Sequence, residues 1–391
     1  MDYATRSLEE HRRLRGKLTI HSKVELNSRD DLSTYYTPGI AAVSQAIAEN
    51  PASVWDYTWR SNLVAVVSDG SAVLGLGNIG AEAAQPVMAG KAILFKEFAD
   101  IDAIPIVLGT QDTATLITTI RALAPTFGGI NLEDIAAPRC FEIEAALQDL
   151  GIPVMHDDQH GTAVVVLAGL LNALKVTGQK LAKCEVVING AGAAGVAIAT
   201  MLHRYSGGTC NVTLVDSKGI ISESRNDLNP GKRALLTFTN QQDRSGDLAA
   251  AIQGANIFIG VSRAGALPAE LVSQMVSQPI IFALANPTPE IMPDVAHAAG
   301  AAIVATGRSD FPNQVNNVLA FPGIFRGALD AQAVRITPEM LTAAAEALAG
   351  CITPSAESIL PDPLDRNVAS TVARAVAEMA RGQGVVRPAH C

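Results

Sequence analysis

Two pairs of adjacent carboxylates, Glu133–Asp134 and Asp157–Asp158, stand at the two ends of the stretch INLEDIAAPRCFEIEAALQDLGIPVMHDDQHGT. Adjacent acids repel unless something positive lies between them, and three or four hard oxygens directed at one point suit Mg²⁺ or Mn²⁺. Between the pairs, Ile143, Ala146, Leu147 and Leu150 recur at helical spacing, and GIPVMH reads as a brief buried strand that delivers the second pair at its C-terminal end. Acids at the ends of neighbouring elements can converge. Solvated loop acids, with Asp158 capping the apolar helix that follows, also satisfy the spacing.

Two more groups invite chemistry. Lys91 reads as opening an amphipathic helix, a place where the helix dipole mildly disfavours a cation. Tyr35 and Tyr36 fall on a turn before Pro38 and Gly39, with a helix restarting at Ile40. A turn tyrosine ordinarily packs through its ring, and its phenol is seldom an acid catalyst.

The most specific motif lies further on. The apolar run CEVVIN leads into GAGAAG, with Gly190, Gly192 and Gly195 at the G-x-G-x-x-G positions and Ala193 and Ala194 between them. The helix VAIATMLHRY follows, and then the strand NVTLVD, whose Asp216 lies about 20 residues past the last glycine, where a dinucleotide fingerprint has its acid. The glycines let the backbone reach a pyrophosphate, the helix N-terminus stabilises its charge, and the acid can hold a ribose. Asp216 favours a free 2′-hydroxyl and hence NAD, whereas Ser217 and Lys218 next to it could hold the 2′-phosphate of NADP. GLGNIG (Gly75, Gly77, Gly80) matches the same pattern superficially. It follows a predicted hairpin, with AVLGLG as the returning strand, and no acid ends a partner strand at the right distance.

The elements that must position these groups alternate. LVAVV and IPIVLG read as buried strands of a small α/β unit, and ANIFIGV, PIIFALAN and AAIVATG as strands of a second one. Ligands of open α/β sheets sit at the C-terminal strand ends, so Asn286 points toward the crevice, and the loop bearing Asn316 and Asn317 can follow it there. The expected fold class is α/β in two domains. Residues 1–160 form an N-terminal α/β domain for substrate and metal, residues 161–330 a Rossmann-type dinucleotide-binding domain, and residues 331–391 C-terminal helices packing back on the core or on a partner subunit.

With 391 residues the chain has material for two cores, and its net charge of −9 argues against nucleic acid or an anionic membrane as main partner. Five scattered cysteines without a CxxC fit free thiols in a reducing cytoplasm. The mixed-charge N-terminus reads as no signal peptide, and Thr162 to Leu174 as a buried helix too short to cross a bilayer.

The ordered set YYTPGI, DGSAVLGLGNIG, GK, NLED, HDDQHGT, GAGAAG, FALANPTPE and GRSDFPNQVNNVLAFPGIFRGAL resembles the malic enzymes, especially the shorter bacterial type. The resemblance spans about residues 20 to 350. It implies oxidative decarboxylation of (S)-malate to pyruvate and CO₂ with NAD or NADP and Mg²⁺ or Mn²⁺, in a cytoplasmic homodimer. It further implies Glu133, Asp134 and Asp158 as metal ligands, Lys91 as general base oriented by Asp157, Tyr36 as general acid, and Asn286 and Asn317 as holders of the substrate carboxylates. A base must be neutral, so metal charge and burial have to lower the Lys91 pKa against the opposing charge of Asp157. One departure stands out: larger malic enzymes carry a substrate-binding arginine in the DG-x-x-LGLG stretch, and Ala72 occupies that slot here. Three rival readings share parts of the pattern: a malolactic or oxaloacetate-decarboxylating enzyme without net redox, a metal-free amino-acid dehydrogenase, and a non-catalytic dinucleotide sensor.

Overall fold

Runs of β-branched and aliphatic residues build two separate sheets in the computed structural model, which describes residues 3–73 and 75–388. In the first sheet β1 (Leu63–Ser68), β2 (Asp102–Val107), β3 (Gly129–Leu132) and β4 (Val154–His156) lie in the order β2-β1-β3-β4, all parallel. β1 is buried at every position, as a strand of a covered parallel sheet must be. Register does the first piece of positioning. Leu132 pairs with His156, so Glu133 and Asp157, the next residue in each strand, leave the sheet side by side.

The second sheet contains β5 (Glu185–Asn189), β6 (Asn211–Asp216), β7 (Gly219–Ile220), β8 (Ile257–Gly260), β9 (Ile280–Ala283) and β10 (Ile303–Thr306), in the order β10-β9-β8-β5-β6-β7. All neighbours are parallel except β6 and β7. The chain order reverses at β5, which lies between β6 and β8, and such a switch point is where open α/β sheets form their ligand crevice.

Between the sheets runs the helix Asp157–Thr177, continuous through residue 160. Its N-cap is His156, so Asp158 is not the cap; both aspartates sit in the first turn, where the helix dipole favours negative charge. This helix is longer than the apolar run suggests. It is long and apolar enough to cross a bilayer by composition, but its most apolar window is 67% buried inside the chain and serves as core. One hydrophobic core joins Val66 and Met88 of the first half to Ile188 and Phe282 of the second, and to Phe321 and Val372 of the C-terminal helices. Phe95 meets Phe321 and Phe325 edge-on at 4.7 and 5.4 Å, which ties those C-terminal helices to the N-terminal half.

Two sequence expectations need correction. Lys91 does not open a helix: it lies well inside Ala81–Ala99. Pro86 suggests a break, but the buried stripe Ala84, Met88, Ala92, Phe95 and Ala99 holds one helix through it. Among the described residues of 72–77 there is no returning strand. Only an isolated bridge joins Val73 to Gly77, and Gly75, Gly77 and Gly80 all have φ between +74° and +79°, which turns the backbone away from extension. Leu74 of that stretch lies outside the described residues, as does Cys391. The other cysteines are free thiols, and burial pushes Cys140 and Cys210 up to about 12 and Cys184 up to about 11.

Candidate active site

Lys91 is the centre of the buried charge cluster. Its ammonium lies 2.6 Å from Asp157 Oδ2 and 2.8 Å from Glu133 Oε1, with only 11% of its side chain exposed. The Phe321 ring, centred 4.3 Å from Nζ, closes another side and adds a cation–π contact. Burial pulls the Lys91 pKa down, but the charges of Asp157 and Glu133 outweigh it and leave it raised. Glu133 is pushed well above the usual carboxylate range by its own burial, against the pull of Lys91 and with the push of Asp158, Asp157 and Asp134. Four carboxyl groups, Glu133, Asp134, Asp157 and Asp158, thus gather around a single lysine.

The two other carboxylates, Asp134 and Asp158, complete the picture. One oxygen from each of Glu133, Asp134 and Asp158 lies within 4.8 Å of the others. Asp134 holds φ at +54°, an uncommon backbone for a non-glycine residue. Two backbone hydrogen bonds at this residue lock that turn: its N–H donates to Asp158 Oδ2 at 2.8 Å, and its carbonyl accepts from Ala72 N–H at 2.9 Å. Ala72 thus props the cluster through its backbone and brings no charge to it. Three hard oxygens, two of them on buried residues, with excess negative charge, suit a hard divalent cation such as Mg²⁺ or Mn²⁺.

Contacts that the sequence alone does not reveal hold this arrangement. Asn131 Nδ2 donates to Glu133 Oε2 at 2.8 Å. The Asn317 amide nitrogen donates to Asp157 Oδ2 at 3.0 Å and to Thr162 Oγ1 at 3.1 Å, so Asn317 reaches Asp157 across 160 residues of sequence. Both of its amide hydrogens are engaged there. Gly161 makes room for Asp157, since a Cβ on Gly161 would stand 1.9 Å from Asp157 Oδ1. A Gly161→Ala variant is expected to lose about 1–3 kcal/mol of stability through overpacking. It should also turn Asp157 away from Lys91, and thermal unfolding read beside turnover checks both effects.

The glycine fingerprint forms the second half of the site. Gly192 caps the helix Ala193–Tyr205, whose first residues are Ala193 and Ala194. A Cβ on Gly195 would meet Gly190 O at 1.8 Å, and one on Gly190 would meet Val261 O at 2.5 Å, so this turn accepts no side chain at either position. Free N–H groups and the positive end of the helix face outward there, as a pyrophosphate requires. Asp216 ends β6 as expected, but its carboxylate is already engaged. It accepts from Arg225 Nη1 at 2.8 Å, from Lys232 Nζ at 2.5 Å and from Lys218 N–H at 2.9 Å, while Lys218 Nζ pairs with Asp227 at 2.9 Å. Burial raises the Asp216 pKa, yet those donors win and hold it low. Ser217 lies beside this cationic group in sequence. Buried Glu290 fixes the neighbouring strand ends by accepting from Ser262 N–H and Ala285 N–H, both at 2.9 Å.

Asn286 follows β9, and its amide nitrogen approaches Gly307 so closely that a Cβ there would lie 2.7 Å away. Gly75 packs on the other side, where a Cβ would stand 3.3 Å from Asn286 O. The first-sheet loop and the second-sheet crevice therefore meet at Asn286. Tyr36 is not drawn into the cluster by any hydrogen bond of its own chain: it follows the helix Arg29–Tyr35 and is 66% exposed.

The family model described as "Malic enzyme, N-terminal domain" matches residues 15–148, and "Malic enzyme, NAD binding domain" matches residues 159–381. The bifunctional malic/malolactic enzyme of Bacillus subtilis is 54% identical over 392 residues, covering 99% of this chain and 95% of that protein. An NADP-dependent malic enzyme of Rhizobium meliloti is 47% identical over 95% of this chain and 51% of its own length. The crystal structure of the NAD-dependent malic enzyme of Thermotoga maritima superposes with a TM-score of 0.92 at 52% identity, covering 95% of this chain and 98% of that one. A carboxylate triad beside a buried lysine, a glycine turn at a sheet switch point, and matches along nearly the whole length agree on one assignment: the chain belongs to the malic enzyme family.

Proposed function

We propose that this chain catalyses the oxidative decarboxylation of malate to pyruvate and CO₂ with reduction of NAD or NADP, and that Lys91 is its general base. The observation that carries the reading is the Lys91–Asp157–Glu133 cluster set against the Glu133, Asp134 and Asp158 oxygens. A divalent cation held by Glu133, Asp134 and Asp158 would polarise the substrate oxygens and, by its charge, lower the pKa of Lys91. A dinucleotide seated on the Gly190–Gly195 turn would accept the two electrons from C2.

The residues of the chain divide the remaining work. Lys91 takes the proton of the C2 hydroxyl, with Asp157 fixing the direction of its ammonium. Asn317 holds Asp157 in line, and it reaches a substrate carboxylate only by releasing Asp157 or Thr162. Asn286, at the junction of the two halves, offers its amide to the other carboxylate. Tyr36 returns a proton to C3 after CO₂ departs. Gly190, Gly192, Ala193, Ala194 and Gly195 cradle the pyrophosphate, and Asp216 with its captive cations faces the adenosine ribose.

A homodimer supplies what a single chain leaves undone. The helices Tyr3–Leu14, Arg29–Tyr35 and Ile40–Glu49 bury no residue, and Leu8, Ile20, Leu26, Tyr35 and Tyr36 of this arm are exposed. We assign this arm to the contact with a second copy, with Tyr36 acting in the partner's cleft. Co-expressing Tyr36→Phe with Lys91→Arg then restores roughly a quarter of wild-type turnover, because half of the random dimers carry one complete cleft. No restoration above the single variants would refute the shared cleft.

The Bacillus subtilis relative is named a bifunctional malic/malolactic enzyme, which favours one second reading, conversion of malate to lactate without net redox. Malate deuterated at C2 separates the two. Oxidative decarboxylation accumulates pyruvate and deuterated reduced nicotinamide together, whereas lactate formed without free reduced cofactor would replace the proposal with the malolactic reading.

A further inference from the structure

A cavity of about 410 Å³ opens where the helices Arg139–Ala146, Ala193–Tyr205 and Pro338–Ala349 meet the first turn of Asp157–Thr177. Its volume is that of a small-molecule pocket, and a junction of several elements from both halves of the chain is a usual place for one. Phe141, Met155, Val196, Met201 and Leu341 give it apolar walls. None of Lys91, Glu133, Asp134 or Asp158 lines it, so it is separate from the carboxylate cluster. An adjoining cavity shares Gln148, Ile336 and Pro338 and extends it toward the Arg335 side chain.

Its polar groups are few and unevenly satisfied. His160 Nε2 lies 3.0 Å from the Glu144 carboxylate, so these two side chains satisfy each other. Gln159 is different: it is 4% exposed, it lines the cavity, and among the described residues its amide nitrogen has no hydrogen-bond partner. A buried donor left unmade is costly and rare in native proteins, and it marks a place where an acceptor belongs. Arg204 lines the same cavity, and among the described residues no ion pair engages its guanidinium. Arg204, exposed at the rim, is the one arginine or lysine among the residues that line this cavity.

We propose that this cavity is a binding site for an amphipathic organic monoanion. Its hydrocarbon body packs against Met155, Met201 and Leu341, and its oxygens accept from the Gln159 amide and the Arg204 guanidinium. Guanidinium–carboxylate pairing is among the stronger charge-assisted contacts, and the methionines adapt to the shape of the hydrocarbon.

Titration calorimetry with 4-phenylbutanoate, and with its neutral amide, tests the assignment on the full-length protein without any turnover. Saturable binding of the acid is expected, with the amide and the Arg204→Ala variant each weaker by about tenfold or more. Thr200→Trp and Ala145→Trp fill the cavity from two different walls, and each should abolish binding while melting cooperatively. Ala145 is exposed at its surface, so that variant keeps the test valid if Thr200→Trp does not fold. Absence of saturable binding, equal affinity for the amide, or binding that survives in a folded cavity-filled variant would overturn the proposal.

Discussion

Replacing Lys91 by arginine is expected to lower malate turnover by about 10²–10⁴-fold, the usual contribution of a positioned general base. Arginine keeps the positive charge that Asp157 and Glu133 surround at 2.6 and 2.8 Å, but its guanidinium does not give up a proton in a protein. The comparison with Lys91→Ala separates chemistry from stability. Alanine leaves two buried carboxylates facing each other without a cation, and breaking a buried ion pair in this way costs about 3–5 kcal/mol. The arginine variant should therefore stay folded and inactive, while the alanine variant is inactive and less stable. Dinucleotide affinity, read by quenching of protein fluorescence, should be retained in Lys91→Arg, because the glycine turn contacts none of this cluster. A Lys91→Arg variant with wild-type turnover would remove Lys91 from the proton transfer.

The second large effect is expected at Asp158. Its side chain is 35% exposed, and Oδ2 accepts the Asp134 N–H that locks the left-handed turn. Asp158→Asn keeps a carbonyl oxygen for that N–H and removes one negative charge, so the turn survives and the cation loses a ligand. Groups that merely orient a ligand already cost 10–100-fold in metal affinity, so loss of the ligand charge should weaken Mn²⁺ binding by at least about 100-fold. Titration followed by the electron paramagnetic resonance of free Mn²⁺ measures this directly. Turnover should fall with the bound fraction and recover partly at high Mn²⁺. Unchanged Mn²⁺ affinity in a folded Asp158→Asn variant would show that these oxygens are not the cation site.

The site was legible in the sequence wherever local pattern and register carry it. Glu133 and Asp157 each follow a short apolar run, and parallel pairing of those runs is enough to bring the two acids together. Gly190 and Gly195 declare themselves because neither has room for a Cβ, Gly192 because it caps the helix, and Asp216 because it ends the next strand. What stayed hidden depends on contacts between distant segments. Asn317 and Thr162 meet across 155 residues, and no spacing rule links them. Arg225 and Lys232 fold back on Asp216 from a long connection after β7, so the charge balance around Asp216 differs from what that residue alone suggests. Lys91 was recognisable as a residue but not as the middle of a helix, because Pro86 and Gly90 mask the apolar period on either side of Met88. Tyr36 marks the other limit: its turn is evident in the sequence, yet a single chain leaves it exposed, and the proposal that it acts in a partner's cleft is one that no local pattern carries.

The most direct test of the central claim is the appearance of reduced nicotinamide when metal-stripped protein is given malate with NAD or NADP, before and after Mn²⁺ is added. The expected result is no reduction in the stripped protein and turnover on adding Mn²⁺, with pyruvate formed in step with reduced cofactor. Undiminished reduction in the stripped protein would contradict it, because the Glu133, Asp134 and Asp158 oxygens would then have no cation to hold for this reaction.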